Sequence, residues 1–326
     1  MKQTKIISTG SYLPEKVLTN FDLEKIVDTT DEWITTRTGI KERHLAAENE
    51  ATSDLVIKAA KIALERANLE AKDLDGIIVA TITPDNTYPS TACWVEKGLG
   101  IKGIPVFDVS AACTGFVYAL AIADSLIKTG TMKRILVAGA ETLTKFTNWE
   151  DRSTCVLFGD GAGVVILEES DDESGILSTF WGADGNLGEL LIQPAGGSKM
   201  PPTEETVKNK LHTVHMEGNK VFRWAVRYMQ EAAEKALEKA GLTGEDIDLF
   251  IPHQANLRII EQTVKYAKID PKKTYIVIDK IANISAGTIP IALDMAVNEG
   301  KIKKGDILLF AAFGGGFTWG AATLRW

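Results

Sequence analysis

Two kinds of apolar pattern alternate along the chain. Residues 52–68 and 219–240 are read as helices, while apolar runs at 76–81, 104–109, 134–139, 248–251, 274–278 and 306–312 predict strands. Two further strands are predicted at 155–168 and 317–325. Segments 113–128 and 286–298 are predicted as buried helices; the first is apolar nearly all round. Strands alternating with helices imply an α/β fold with mostly parallel sheets and right-handed crossovers.

The pattern runs twice. Residues 63–78 and 236–251 align at an offset of 173, pairing Ala63 with Ala236, Leu64 with Leu237, Glu65 with Glu238, Asp73 with Asp246 and Ile78 with Ile251. The same offset pairs Ala119 with Ala292, Leu120 with Leu293 and Ala138 with Ala311. The expectation is an internal duplication, residues 1–173 and 174–326, with the halves related by a pseudo-twofold axis. Between them, residues 184–203 are rich in Gly and Pro and read as a long irregular connection; residues 43–52 form a second polar loop.

Composition narrows the class. The chain has 326 residues, 45% of them hydrophobic, enough for a large core. A net charge of −8 disfavours nucleic acid as the main partner. No apolar run reaches transmembrane length, and the first residues do not read as a signal peptide. A cytoplasmic location is expected, with no membrane partner. Cys93, Cys113 and Cys155 are an odd count without zinc spacing, so free thiols and no metal are expected.

Three chemical residues fall at strand ends, where open α/β sheets place their sites. Cys113 follows a strand and opens the first buried helix, where unpaired N–H groups and the helix dipole favour the thiolate. A small buried cysteine is the bland alternative. His253 sits at a strand-to-helix turn, at the equivalent of Ala80, and is expected to stay neutral there. Asn283 precedes the second buried helix, at the equivalent of Ser110; alone it would pass for a helix cap. The other histidines, His44, His212 and His215, are expected at the surface. The pseudo-twofold axis would bring Cys113 of one half opposite His253 and Asn283 of the other. Gly314, Gly315 and Gly316 end a strand beside them, so one backbone N–H there, with that of Cys113, can form an oxyanion hole.

At these residues the chain resembles the β-ketoacyl-acyl-carrier-protein synthase III family, with its thiolase-like, five-layered α-β-α-β-α fold. The resemblance spans essentially the whole chain. It rests on Asp-Val-Ser-Ala-Ala-Cys-Thr-Gly-Phe (108–116), Ile-Pro-His-Gln-Ala-Asn-Leu-Arg-Ile-Ile (251–260), Asn-Ile-Ser-Ala-Gly-Thr-Ile-Pro (283–290), Phe-Gly-Gly-Gly-Phe-Thr-Trp-Gly (313–320) and a segment at 31–43. It implies that Cys113 takes an acyl group from acyl-CoA, and that His253 and Asn283 then promote decarboxylation of malonyl-acyl-carrier protein. The resulting carbanion condenses with the acyl-enzyme, the initiating step of type II fatty acid biosynthesis, with no metal or redox cofactor. It further implies that Trp33 and Arg152 sandwich the adenine of coenzyme A. Arg37, Gly218, Phe222 and Asn256 line the pantetheine tunnel or its mouth. Arg223, Arg258 and Lys265 form the basic patch for acyl carrier protein, with Tyr266 where another basic residue is expected. Phe313 belongs to the primer pocket, and Tyr88 reaches the partner's pocket in a homodimer.

Rival readings remain. Another thiolase-fold synthase, of the hydroxymethylglutaryl-CoA or type III polyketide kind, uses the same three side-chain types. A papain-like hydrolase predicts a different fold. A non-catalytic scaffold sits poorly with Cys113.

Overall fold

A computed structural model describes residues 3–326. In chain order its strands are β1 (Thr4–Tyr12), β2 (Lys16–Thr19), β3 (Glu42–Leu45), β4 (Gly76–Ala80), β5 (Val106–Val109), β6 (Arg134–Thr142), β7 (Asp160–Glu169), β8 (Gly175–Ala183), β9 (Leu191–Ile192), β10 (His215–Met216), β11 (Leu249–Pro252), β12 (Ile307–Gly314) and β13 (Thr318–Arg325). Its longer helices are α1 (Asp31–Thr38), α2 (Thr52–Arg66), α3 (Thr91–Gly98), α4 (Gly115–Lys128), α5 (Gly218–Ala240), α6 (Leu257–Tyr266) and α7 (Thr288–Asn298).

One sheet has the order β1-β7-β6-β4-β5 and the other β8-β13-β12-β11. In both, one strand pairs in parallel with its neighbour at the matching place in the order, β4 with β6 and β11 with β12. The next two pairings in each sheet are antiparallel. The second sheet therefore repeats the first, less its edge strand β5.

Side-chain alternation along the strands explains the layers. Ile77 and Val79 face outward onto α2, packing with Leu55, Val56 and Ala59. Ile78 and Ala80 face inward, onto α4 and α7. In the other sheet Leu308, Phe310 and Ala312 face those same two helices, while Leu309, Ala311 and Phe313 face α5 and α6. Both faces of each sheet are thus covered, which is why the central strands read as unbroken apolar runs. Helices α4 and α7 lie between the sheets, giving five layers. Each buried Phe, Leu or Ile there contributes roughly 1.5–3 kcal/mol; removing a ring such as that of Phe116, fully buried, costs about 3–5 kcal/mol.

Two expectations change, and one strand, β1, falls outside those predicted. Residues 274–278 do not form a strand: only Thr274 bridges to Phe250. The Gln254 side chain does the work of a ladder there, accepting from Val277 N–H at 3.0 Å and donating to the Tyr275 carbonyl at 3.3 Å. The strand expected from 155 starts at Asp160, because Asp151 accepts from Ser153 N–H and caps a short helix over Arg152–Cys155. Strand β1 carries too many hydroxyls to read as a core strand. Its Ser8 donates to the Ala63 carbonyl at 2.7 Å and its Thr9 to Asp294 at 2.6 Å, so both are buried with partners.

Candidate active site

The two buried helices start in the same way. Each is preceded by a 3-10 turn, Ala112–Thr114 before α4 and Ser285–Gly287 before α7. Ala112 has φ +45° and Ser285 has φ +46°, at the duplication offset of 173. Non-glycine residues held in this left-handed region cost about 1–3 kcal/mol, and such strain gathers at functional turns. The turn lifts Cys113 off the end of β5 and against Gly314, where a Cβ would lie 2.5 Å from Cys113 N. Only glycine lets the end of β12 approach the nucleophile's backbone so closely.

Cys113, His253 and Asn283 line one cavity of about 460 Å³. His253 follows β11, its N–H donating to the Ala311 carbonyl at 2.8 Å. Its ring is buried, and burial pushes its pKa down to about 3, so it is neutral as expected. Asn283 is clamped by the 157–159 segment: its N–H donates to the Leu157 carbonyl and its carbonyl accepts from Gly159 N–H. Its Oδ1 accepts from Ser285 N–H at 2.8 Å, which assigns the amide orientation and leaves the NH₂ group as a donor.

Cys113 departs from expectation. Its thiol is 9% exposed, and burial pushes its pKa up to about 12, with the Glu141 carboxyl adding to the rise. The 3-10 turn precedes the helix proper, and loss of solvent outweighs the helix terminus. The sulfur therefore rests as a thiol at neutral pH.

The same cavity reaches Trp33, Arg37, Gly218, Phe222, Asn256 and Arg258. Trp33 carries the Arg37 and Arg152 guanidinium groups at 4.8 and 4.9 Å from its ring centroid. Asn256 caps α6 by accepting from Arg258 N–H at 2.9 Å and donates to the Arg37 carbonyl at 3.0 Å, tying α1 to α6. Phe313 lines this first cavity, since its place on β12 turns it to the outer face, against Phe317 and Tyr228. Cys113 also opens onto a second cavity of about 430 Å³, walled by Ile82, Leu143, Phe146, Phe158, Leu191, Ile192 and Val214. The irregular connection thus supplies a wall through Leu191 and Ile192. Tyr88 lines neither cavity and is 86% exposed.

Arg223 and Arg258 border a shallow surface hollow with Phe222 and Tyr266. Lys265 is exposed on the same helix as Arg258. Glu261 lines the same hollow, an acidic charge the sequence reading overlooked. His215 is exposed as expected; His44 and His212 are half-buried, His44 Nδ1 lying 2.5 Å from the Pro14 carbonyl. Among the described residues, no group of three or more His, Cys, Asp or Glu converges as a metal site requires.

Sequence reading also missed Glu141, fully buried below the site. It accepts from Thr83 Oγ1 at 2.6 Å, Thr81 Oγ1 at 3.1 Å and Ile82 N–H at 3.1 Å. Burial still wins, holding its carboxyl up at about 7. The folded state therefore binds this proton more tightly than the unfolded chain, whose group titrates near 4.5. This contribution to stability is full below pH about 4.5 and is lost as pH rises through about 7, a slope worth up to roughly 3 kcal/mol. Glu141→Gln is expected to remove that slope, read as urea midpoints at pH 5 and 7. Identical pH slopes in variant and parent would refute the assignment.

Comparison with known proteins agrees with this geometry. A sequence profile described as 3-oxoacyl-[acyl-carrier-protein (ACP)] synthase III matches residues 107–185, and the profile of its C-terminal part matches residues 237–326. The beta-ketoacyl-[acyl-carrier-protein] synthase III of Caldanaerobacter subterraneus is 56% identical over 321 residues, 98% of this chain and 97% of that protein. The crystal structure of 3-oxoacyl-[acyl-carrier-protein] synthase III from Aquifex aeolicus superposes with a TM-score of 0.92 at 53% identity, covering 99% of this chain and all of that one. The priming β-ketosynthase of the R1128 polyketide pathway has the same TM-score, 0.92, at 33% identity, covering 99% of this chain and 96% of that one. The fold is thiolase-like, as the duplicated layers imply. A strained turn bearing a cysteine, opposed by a neutral histidine and a fixed amide, on a chain this similar throughout, leads to one conclusion: the chain belongs to the 3-oxoacyl-[acyl-carrier-protein] synthase III family.

Proposed function

We propose that this chain is an acyltransferase that condenses an acyl-CoA primer with malonyl-acyl-carrier protein, starting type II fatty acid synthesis. The observation that carries the reading is the single cavity in which Cys113 of one half meets His253 and Asn283 of the other. The Cys113 sulfur attacks the acyl-CoA carbonyl, the bond to coenzyme A breaks, and the sulfur's proton leaves with the coenzyme A thiol in the balance. The N–H of Cys113 and one from Gly314, Gly315 or Gly316 hold the oxyanion. Malonyl thioester then replaces coenzyme A. Carbon dioxide departs, and the electron pair moves onto the thioester oxygen, held by His253 and the Asn283 NH₂. The carbanion attacks the Cys113 thioester, and the thiolate released regains a proton. The residues present supply this chemistry as one nucleophile and neutral donors.

In this reading Trp33 and Arg152 hold adenine, with Arg37, Gly218, Phe222 and Asn256 along the tunnel, and the second cavity takes the primer's acyl chain. Arg223, Arg258 and Lys265 receive the acidic carrier protein. We also infer a homodimer, supported by the open edge of β5 and the exposed Tyr88 and Ile82 nearby; sedimentation at the mass of a single chain would refute it. The matched strand orders support residues 1–173 and 174–326 as copies of one unit. A cytoplasmic location fits three free cysteines, and no helix among the described residues is long and apolar enough to cross a membrane. Comparing extenders tests the function: malonyl-acyl-carrier protein is expected to be used well above malonyl-CoA. A preference for malonyl-CoA would favour a polyketide-type synthase instead.

A further inference from the structure

The hydrogen bonds behind His253 determine which of its ring nitrogens carries the proton, and so what it can do. His253 Nδ1 lies 2.6 Å from Thr288 Oγ1, the first residue of α7. Both side chains are buried, with no carboxylate bonded to the ring among the described residues. Two other groups approach the same hydroxyl. Gln254 N–H donates to it at 3.3 Å, and the Ser285 carbonyl stands 3.2 Å away as a possible acceptor.

A hydroxyl has one proton to give. If Thr288 gives it to the Ser285 carbonyl, then His253 must donate from Nδ1, and Nε2 is left as a bare lone pair. If Thr288 gives it to Nδ1, the ring proton sits on Nε2. Two observations choose between these networks. The 2.6 Å contact to Nδ1 lies in the range of a hydroxyl donor and below that usual for an N–H donor, whereas 3.2 Å to the Ser285 carbonyl is long for a hydroxyl donor. The Ser285 carbonyl also keeps a partner when the hydroxyl turns away, since it accepts the backbone N–H of Thr288 itself. Nδ1 has no such second partner among the described residues. Gln254 N–H then fills one lone pair of the same hydroxyl, and each group in the network has a partner.

We propose that Thr288 is a positioning residue: its hydroxyl donates to Nδ1 of His253 and fixes the ring as the Nε2–H tautomer. That tautomer is a hydrogen-bond donor toward the substrate cavity and cannot act as a base through Nε2. The ordering is local and economical in sequence terms. Thr288 lies one turn after Ser285, whose own N–H orients Asn283. One turn of chain therefore sets both proposed donors, Asn283 through Ser285 N–H and His253 through Thr288 Oγ1. The loop after β11 is locked to the same turn through Gln254 N–H.

The inference rests on His253 acting as an oxyanion donor, yet the tautomer itself is separately measurable. Ring ¹⁵N spectra of the full-length enzyme at neutral pH are expected to show a pyrrole-type Nε2 and a pyridine-type Nδ1 for His253, identified by loss of its signals in His253→Gln. A pyrrole-type Nδ1 would overturn the proposal whatever the activity data say. In kinetics, Thr288→Val is expected to slow decarboxylation of malonyl-acyl-carrier protein at least tenfold while leaving acyl transfer from acyl-CoA to Cys113 near the parent rate. Thr288→Ser, which keeps the hydroxyl, is expected to restore decarboxylation. Equal rates for the Val and Ser variants would also overturn it. Should the Val variant not fold, the parent spectrum and the Ser rate still decide. Full decarboxylation by His253→Ala, which leaves no side-chain donor, would instead refute the donor role of His253, leaving the tautomer to the spectrum.

Discussion

Cys113→Ala is expected to lower condensation by a factor of about 10⁴ or more, with no acyl adduct on the intact protein after incubation with acyl-CoA. The reason is specific to the site. Of the three cysteines only Cys113 lines both cavities, so in the proposed reaction it alone can meet a thioester from the first and an acyl chain in the second. Cys155 is fully buried elsewhere, in a cluster with Leu23, Ile34 and Val156, and Cys93 is half-buried on α3. Neither can substitute. The substitution removes one sulfur from a turn whose backbone is fixed by Gly314 and Thr318, the latter donating to the Ala111 carbonyl at 2.9 Å. Folding is therefore expected to change by no more than about 1 kcal/mol. Decarboxylation of malonyl-acyl-carrier protein is expected to survive, because its donors lie in the other half. An adduct that still forms on the alanine variant would eliminate Cys113 as the acyl carrier.

His253→Ala and Asn283→Ala are each expected to slow decarboxylation by about 10²–10³, or roughly 2.7–4 kcal/mol, the usual cost of one oxyanion donor. Acyl transfer from acyl-CoA is expected to persist in both. The measurement is single-turnover labelling of Cys113 beside carbon dioxide release; equal loss of both steps would overturn the division of labour. With the His253 pKa at about 3, no histidine inflection is expected in the decarboxylation rate between pH 5 and 8. The same burial has a cost in acid. The folded ring resists protonation while the unfolded one titrates near 6.5, so stability is complete above that pH and is lost as pH falls from about 6.5 toward 3. Between pH 4.5 and 6.5 this slope opposes that of Glu141. Glu141→Gln is thus expected to unmask it, and stability of that variant rises with pH across the interval.

Much of the fold is legible in the order of residues because burial on both faces forces a long apolar run. Strands β4, β6 and β12 and helices α4 and α7 all announce themselves in this way. What fails is instructive. Residues 274–278 are as apolar as a strand, yet the Gln254 side chain occupies the hydrogen-bonding edge a strand would use. Strand β1 looks too polar for the core, but Asp294 and the Ala63 carbonyl, far along the chain, satisfy its hydroxyls. Side-chain partners distant in sequence cannot be read from local pattern.

The site divides along the same line. The residues and their spacing mark Cys113, His253 and Asn283 out by type, by strand-end position and by the offset of 173. The sequence likewise carries the glycines that let β12 meet the nucleophile, since the absence of a side chain is visible without a structure. Tertiary structure alone decided the protonation of the site. Burial, not the helix terminus, governs the Cys113 thiol, and burial likewise keeps His253 neutral and Glu141 near 7. It also placed Phe313 in the cavity shared by Cys113, His253 and Asn283, and the Thr288 hydroxyl behind His253. Residue order encodes which groups are present and how they repeat. Their acidity and donor direction depend on solvent exclusion and on partners from remote segments, which exist only once the chain has folded.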